Sequence, residues 1–337
     1  MTVTPVHTPY PVRVQDYVAF RRDGYLIVPG LIPAEEVAEL NAHADALLAG
    51  EVSFPEERTY DGDFRAARQR DQVNRMHMLH LYLEVYERYF LHPRVLDVLE
   101  ALVGPDVLAL QTMLFAKGPG APGQGWHQDS YYIPTFPDSL AAAWMPLERV
   151  DEENGCLFVT PGTQFEPIFP DADDRPGYGG DPGLADIKGL YGASAGDEAV
   201  NGLTPIARKY GREVPLVMEP GDVAFFGGHV LHRSLRNRSA TRSRRAFVSH
   251  YCNARSFVPW HDDWDEPRVE GEGYNRKHIL ARGTSHLPYA QPRFGTPCAA
   301  NQPPEQRPAR RRPTSIMGSP DGLMVPTEHG DPDHDDH

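Results

Sequence analysis

The chain has 337 residues, with 33 Lys+Arg against 47 Asp+Glu, a formal net charge of −14, and 15 histidines. The acidic balance argues against a nucleic-acid or anionic-membrane partner, since both are gripped through a basic footprint. Gly (30) and Pro (33) together approach a fifth of the sequence, against about 12% in ordinary proteins, so short strands joined by turns are expected rather than long helices.

Residues 14–23 (VQDYVAFRRD) and 33–49 space their apolar positions at three and four, the second opening on Pro33 as N1 with acids in its first turn, and both read as helices. Between them Tyr25-Leu26-Ile27-Val28, bounded by Gly24 and Pro29-Gly30, reads as a short strand. Residues 78–103 look helical on either side of Pro93, so residues 1–104 are expected to form a mostly helical flank on the core. From Val107 the texture changes to VLALQTMLFAK, SLAAAWMPLERV, GCLFVTPG, PLVMEPGDVAFF and RRAFVSHYC, short runs broken by Gly, Pro, Asn and Asp. The fold expected is mainly β with flanking helices, its core at 105–294. The polar, turn-rich stretch 165–213 is expected to be a lid or side loop. The tail 295–337 holds eight prolines and no Phe, Tyr or Trp, and is expected to be disordered. Cys156, Cys252 and Cys298 form neither a disulfide framework nor a zinc knuckle. No signal peptide or 18-residue apolar span is visible, so a cytoplasmic setting is expected. The sequence gives no indication of oligomeric state.

The segment Gly125-Trp126-His127-Gln128-Asp129 carries the first chemical signal. On a strand, residues two apart share a face, so His127 and Asp129 would offer an imidazole and a carboxylate to one point. About a hundred residues later GDVAFFGGHVLHRS supplies two more histidines, His229 and His232. Two His and one carboxylate on a β scaffold match the facial triad that holds non-haem Fe(II) with positions left open. Past His232 come Ser234 and then Arg242, Arg244 and Arg245. A planar cation with a hydroxyl beside it suits the distal carboxylate of a 2-oxoacid. Arg244 and Arg245 are mutually exclusive, because neighbours on a strand face opposite sides.

DGYLIVPGLIPAEEV, LALQTMLFAKGPG, GWHQDSYYIP, AAWMPLERVDEENGCLFVTPGTQ and VPLVMEPGDVAFFGGHVLHRSLRNRSATRSRRAFVSHY occur in that order between about Asp23 and Tyr251. In these stretches the chain resembles the phytanoyl-CoA dioxygenase family of Fe(II)/2-oxoglutarate oxygenases. The resemblance implies a double-stranded β-helix (jelly-roll, cupin-like) core. It implies His127, Asp129 and His232 as iron ligands, with 2-oxoglutarate and O₂ as cosubstrates. It implies Arg244 as the anchor of the distal carboxylate, and Met113, Trp144 and Ser234 as pocket walls or donors, with Gln111 and Tyr132 nearby. The family places a Ser two residues after the distal ligand, which favours His232 over His229, and the alignment of RRAFVSHY favours Arg244 over Arg245. Gln128, Tyr132 and Arg233 are candidate substrate contacts; Gln164 stands where the family commonly has His, and Arg233 where it commonly has Gly. The reaction implied is hydroxylation of a small-molecule substrate with release of succinate and CO₂, since Asp129 occupies the position where related halogenases carry a small residue. The same ligands would also serve a zinc hydrolase or isomerase, or a non-catalytic β-sandwich whose metal only stabilises the fold; the Arg-and-Ser pattern weighs against the first.

Overall fold

The computed structural model describes residues 8–52, 58–59, 62–63, 74–170, 172, 184, 186–192, 199–258 and 278–285. The chain opens with α1 (Val14–Asp23), β1 (Tyr25–Val28) and α2 (Ala34–Ala49), followed by the short strands β2 (Arg58–Thr59), β3 (Gly62–Asp63) and β4 (Asn74–His77). Two helices follow, α3 (Glu84–Phe90) and α4 (Pro93–Val103), then β5 (Val107–Lys117), β6 (Gln124–His127), the single turn α5 (Asp129–Tyr132), β7 (Ala141–Pro146) and β8 (Leu157–Val159). The remainder is α6 (Thr204–Lys209), β9 (Val214–Pro215), β10 (Val223–Gly227), β11 (His232–Ser234), β12 (Arg244–Asn253) and β13 (Ile279–Arg282). Pro93 opens α4 because its missing N–H is one that a helix start leaves unbonded anyway. Pro33 precedes α2 as its N-cap rather than opening it, one residue from the expectation.

Two sheets form. The larger runs β1-β10-β7-β12-β5-β4-β2-β3, with β13 sharing an edge of β5, and the smaller runs β6-β11-β8-β9. The described pairings are antiparallel, and the interleaving of the central strands β5, β12, β7, β10 with β6, β11, β8, β9 is that of the jelly roll. Each long strand of the larger sheet serves two cores by alternation. Phe225, Phe247, Met145 and Leu114 face the helices α1 to α4, where they pack with Leu40, Phe90 and Leu99. Their neighbours Phe226, Val248 and Trp144 face the smaller sheet and pack with Trp126, Val159 and Leu231. The site therefore sits between the sheets, on the face opposite the helices.

The N-terminal stretch is less purely helical than its periodicity suggested. β1 pairs with β10, and β4 pairs with the C-terminal half of β5, so residues before 104 complete the larger sheet as well as covering it. The tail 295–337 lies outside the described residues.

Candidate metal centre

His127 ends β6 and His232 begins β11, and the ladder places the two directly opposite each other. Their rings lie 4.0 Å apart, centroid to centroid. Asp129 reaches the same point by a different route from the one expected. It does not continue the strand; Gln128 is the N-cap and Asp129 the first residue of α5, so a strand-to-helix turn brings the carboxylate round. Asp129 Oδ1 lies 3.8 Å from His127 Nε2 and 3.6 Å from His232 Nε2. One donor atom from each of the three falls within 4.8 Å of the others.

The donor set fits a divalent metal in three respects. First, His127 Nδ1–H donates to Gly125 O at 2.9 Å and His232 Nδ1–H to Val230 O at 3.0 Å, which leaves the Nε2 lone pair of each ring directed at the gap. Second, His250 Nε2–H donates to Asp129 Oδ2 at 3.2 Å, so one carboxylate oxygen is held from behind and Oδ1 faces the imidazoles. Third, the protonation states favour binding. Burial, then the neighbouring His232, push His127 down to about 3. Burial opposes ionisation of Asp129, but His232 and the hydrogen bond from His250 outweigh it and hold the carboxyl well below the usual range.

The triad forms one wall of a cavity of about 890 Å³, mouth included. Gln111, Met113, Tyr132, Trp144, Ser234 and Arg244 all line it. Arg244 is buried on the inward face of β12, with Nε donating to Gly155 O at 3.0 Å and its guanidinium 5.4 Å from the Trp144 ring. Burial pulls Arg244 down to about 10, so it remains a cation near neutral pH. Arg245 faces the other way, pairing with Glu148 at 2.7 Å and with Asp45. His229 is likewise elsewhere, its Nδ1 2.8 Å from Glu166 O and its Nε2 3.4 Å from Asp138. Gln164 donates to the carbonyls of Arg21 and Arg22.

Two of the candidate substrate contacts lie outside the cavity lining. Gln128 does not line the cavity; its amide clamps the carbonyls of Pro167 and His229 at 3.1 Å each. Arg233 projects from the opposite face of β11 to His232 and Ser234, stacks 4.8 Å from the Trp126 ring and pairs with Glu213 at 2.6 Å. Both are neighbours of ligands in sequence, and alternation sends them away. Among the described residues of 165–213, none lines the cavity.

The cavity also holds residues that the sequence did not single out. Arg75 and His77 come from β4, Lys117 from the end of β5, Gln124 from the start of β6, and His250 from β12. Gln124 Nε2 approaches His127 Nε2 at 3.1 Å, and Gln111 Nε2 lies 2.9 Å from His77 Nδ1. Burial, then Arg75, push His77 down to about 3. The available signal for Lys117 was its parity with Gln111, Met113 and Phe115 on β5. For Arg75 and His77 there was none, because β4 is four residues long and lacks apolar alternation.

A jelly roll with two imidazoles and a carboxylate aimed at one point, and a buried guanidinium across the cavity, defines a metal-binding β-helix protein. The phytanoyl-CoA dioxygenase (PhyH) family model matches residues 20–246, and the chain belongs to that family. Peroxisomal phytanoyl-CoA dioxygenase of Rattus norvegicus is 28% identical over 242 residues, which cover 69% of this chain and 66% of the rat protein. The Bos taurus counterpart is 34% identical over 172 residues, covering 50% of this chain and 46% of the bovine protein. The matches thus span less than two thirds of these relatives' length. Among solved structures, the epimerase SnoN in complex with Fe3+, alpha-ketoglutarate and nogalamycin RO shares 22% identity at a TM-score of 0.55, covering 82% of this chain and 96% of that one. EctD from S. alaskensis with 2-oxoglutarate and 5-hydroxyectoine shares 21% at 0.56, covering 74% and 80%. These likenesses show the fold.

Proposed function

We propose that the protein is a non-haem Fe(II)/2-oxoglutarate-dependent oxygenase that hydroxylates a small organic molecule, with release of succinate and CO₂. The observation that carries this reading is the convergence of His127, Asp129 and His232 on one point of a cavity that Arg244, from the other sheet, and Ser234 also line. The metal, the 2-oxoacid and O₂ together would supply the oxidising chemistry that no side chain of the chain possesses. The chain's own work is binding, orientation and exclusion of water.

His127 and His232 present proton-free Nε2 atoms because the carbonyls of Gly125 and Val230 take the other ring proton. Asp129 supplies a single oxygen, its second being held by His250. Arg244 remains cationic and is braced by Gly155 and Trp144, a geometry suited to a carboxylate. Leu157, Phe226 and Val248 wall the cavity with apolar surface, which keeps water from the reacting atoms. Hydroxylation is favoured over halogenation because the third metal-facing group is a carboxylate. A zinc hydrolase would use the same triad but has no need of a buried guanidinium opposite it. Among the described residues no helix is long and apolar enough to cross a membrane.

The test is 2-oxoglutarate turnover in protein loaded with Fe(II) anaerobically and then exposed to O₂. Succinate should form, be stimulated by the true substrate, and disappear in His232→Ala. Hydrolytic turnover of a candidate substrate with Zn(II), without succinate, would overturn the reading.

A further inference from the structure

The cavity is rich in basic groups. Arg75, Lys117 and Arg244 all line it, and among the described lining residues Asp129, which faces the imidazoles, is the one carboxylate. Lys117 is the unusual member. It lies at the end of β5, directly across the ladder from Arg244 and on the same inward face as Met113 and Phe115. Its side chain is buried, with Nζ donating to Ser234 Oγ at 2.8 Å and to Leu235 O at 3.1 Å. Burial, then Arg244 and Arg75, push its ammonium well below the ordinary lysine range, and an anion lodged among the three cations would relieve that repulsion.

The hydrogen-bond inventory decides what this contact does. A lysine ammonium has donors and no acceptor, whereas a serine hydroxyl has one donor and two lone pairs. With an anion in the cavity keeping Lys117 an ammonium, Lys117 donates, Ser234 Oγ must accept, and its one O–H is released for another partner. Among the described residues no acceptor takes that proton, and Ser234 lines the cavity beside Arg244. Resting on the oxygenase reading above, we infer that Lys117 is a positioning residue that fixes Ser234 as a hydrogen-bond donor toward the distal carboxylate of the cosubstrate. Arg244 supplies charge, Lys117 and Ser234 supply direction, and the pair makes the site selective for dicarboxylic over monocarboxylic 2-oxoacids.

The experiment is calorimetric titration of the anaerobic Fe(II)-loaded full chain with 2-oxoglutarate and, separately, with pyruvate, which shares the 2-oxoacid head but lacks the distal carboxylate. In Lys117→Met the dissociation constant for 2-oxoglutarate should rise at least tenfold, as for loss of a hydrogen bond to a charged group, while that for pyruvate changes less than twofold. Ser234→Ala should give the same selective loss, and the double variant should bind within twofold of the weaker single one, because both changes remove one donor. Equal weakening toward both 2-oxoacids, no weakening at all, or losses that multiply in the double variant would each overturn the inference. Should Lys117→Met lose its cooperative thermal transition, Lys117→Leu, which likewise has no donor, takes its place under the same criteria. Failure of the wild-type chain to bind 2-oxoglutarate would instead overturn the oxygenase reading, and this inference with it.

Discussion

At the scale of single residues, His250 has the clearest consequence. It coordinates nothing in the triad's gap, yet its Nε2–H holds the outer oxygen of Asp129. Partners of this kind commonly account for 10–100-fold in metal affinity. His250→Phe should therefore weaken Co(II) or Fe(II) binding about tenfold or more, while His250→Gln, which keeps a donor, recovers part of the loss; equal affinity in all three proteins would remove His250 from the site. Residues of this kind divide sharply in how legible they are. His127, Asp129 and His232 could be read because imidazole and carboxylate occur in tight motifs whose chemistry needs them together. Lys117, Arg75 and Gln124 could not, because their importance depends on strand register, and register is a tertiary fact. Gln128 and Arg233 show the converse: both adjoin ligands in sequence, yet the pleat turns their side chains away from the cavity.

At the scale of elements, β12 decides most. Ten residues long, it carries Arg244, Ala246 and Val248 on the inward face, and Arg245 and Phe247 toward the helices. A neutral substitution should therefore split cleanly along the strand. Arg244→Met should abolish measurable 2-oxoglutarate binding, whereas Arg245→Met should leave it within twofold and cost about 1 kcal/mol of stability through the lost Glu148 and Asp45 pairs. The measurements are a binding titration and a denaturant melt of each variant; loss of binding in Arg245→Met would mean the strand is out of register by one. The turn before β8 matters equally. Gly155 has φ +83°, and a Cβ there would meet Leu235 O at 2.6 Å, while its own carbonyl braces Arg244. Elements with strong periodicity, α1, β1, β5 and β12, were readable from the sequence. The turn after His127 was not: an alternating pattern cannot reveal that a strand stops and one helical turn begins, although either path delivers Asp129 to the same point.

At the scale of the molecule, acidity and function are spatially separated. The chain's net charge is −14, yet the cavity gathers three basic side chains from three strands, so an anionic ligand is drawn by a local field rather than by the whole. The two layers are also unequal. The larger sheet is built on strands of 10 and 11 residues backed by four helices, whereas the smaller sheet has no strand longer than four. By ordinary cooperativity the smaller sheet is the part that opens first. It carries His127 and His232, while Arg244, Trp144 and Met113 belong to the larger one.

The Lys117–Ser234 hydrogen bond crosses from one layer to the other, and any metal and dicarboxylate held together would do the same. Occupancy is thus a clasp on the closing of the sandwich, stabilising the closed form by about 2.7 kcal/mol at a ligand concentration of 100 times Kd. Amide exchange should slow on loading chiefly in β6, β8 and β11, with β5 and β12 little changed. Uniform slowing across both sheets would show that the layers open as one unit. Selective slowing would tie cosubstrate supply to the lifetime of the folded chain, with the starved protein the one most exposed to proteolysis.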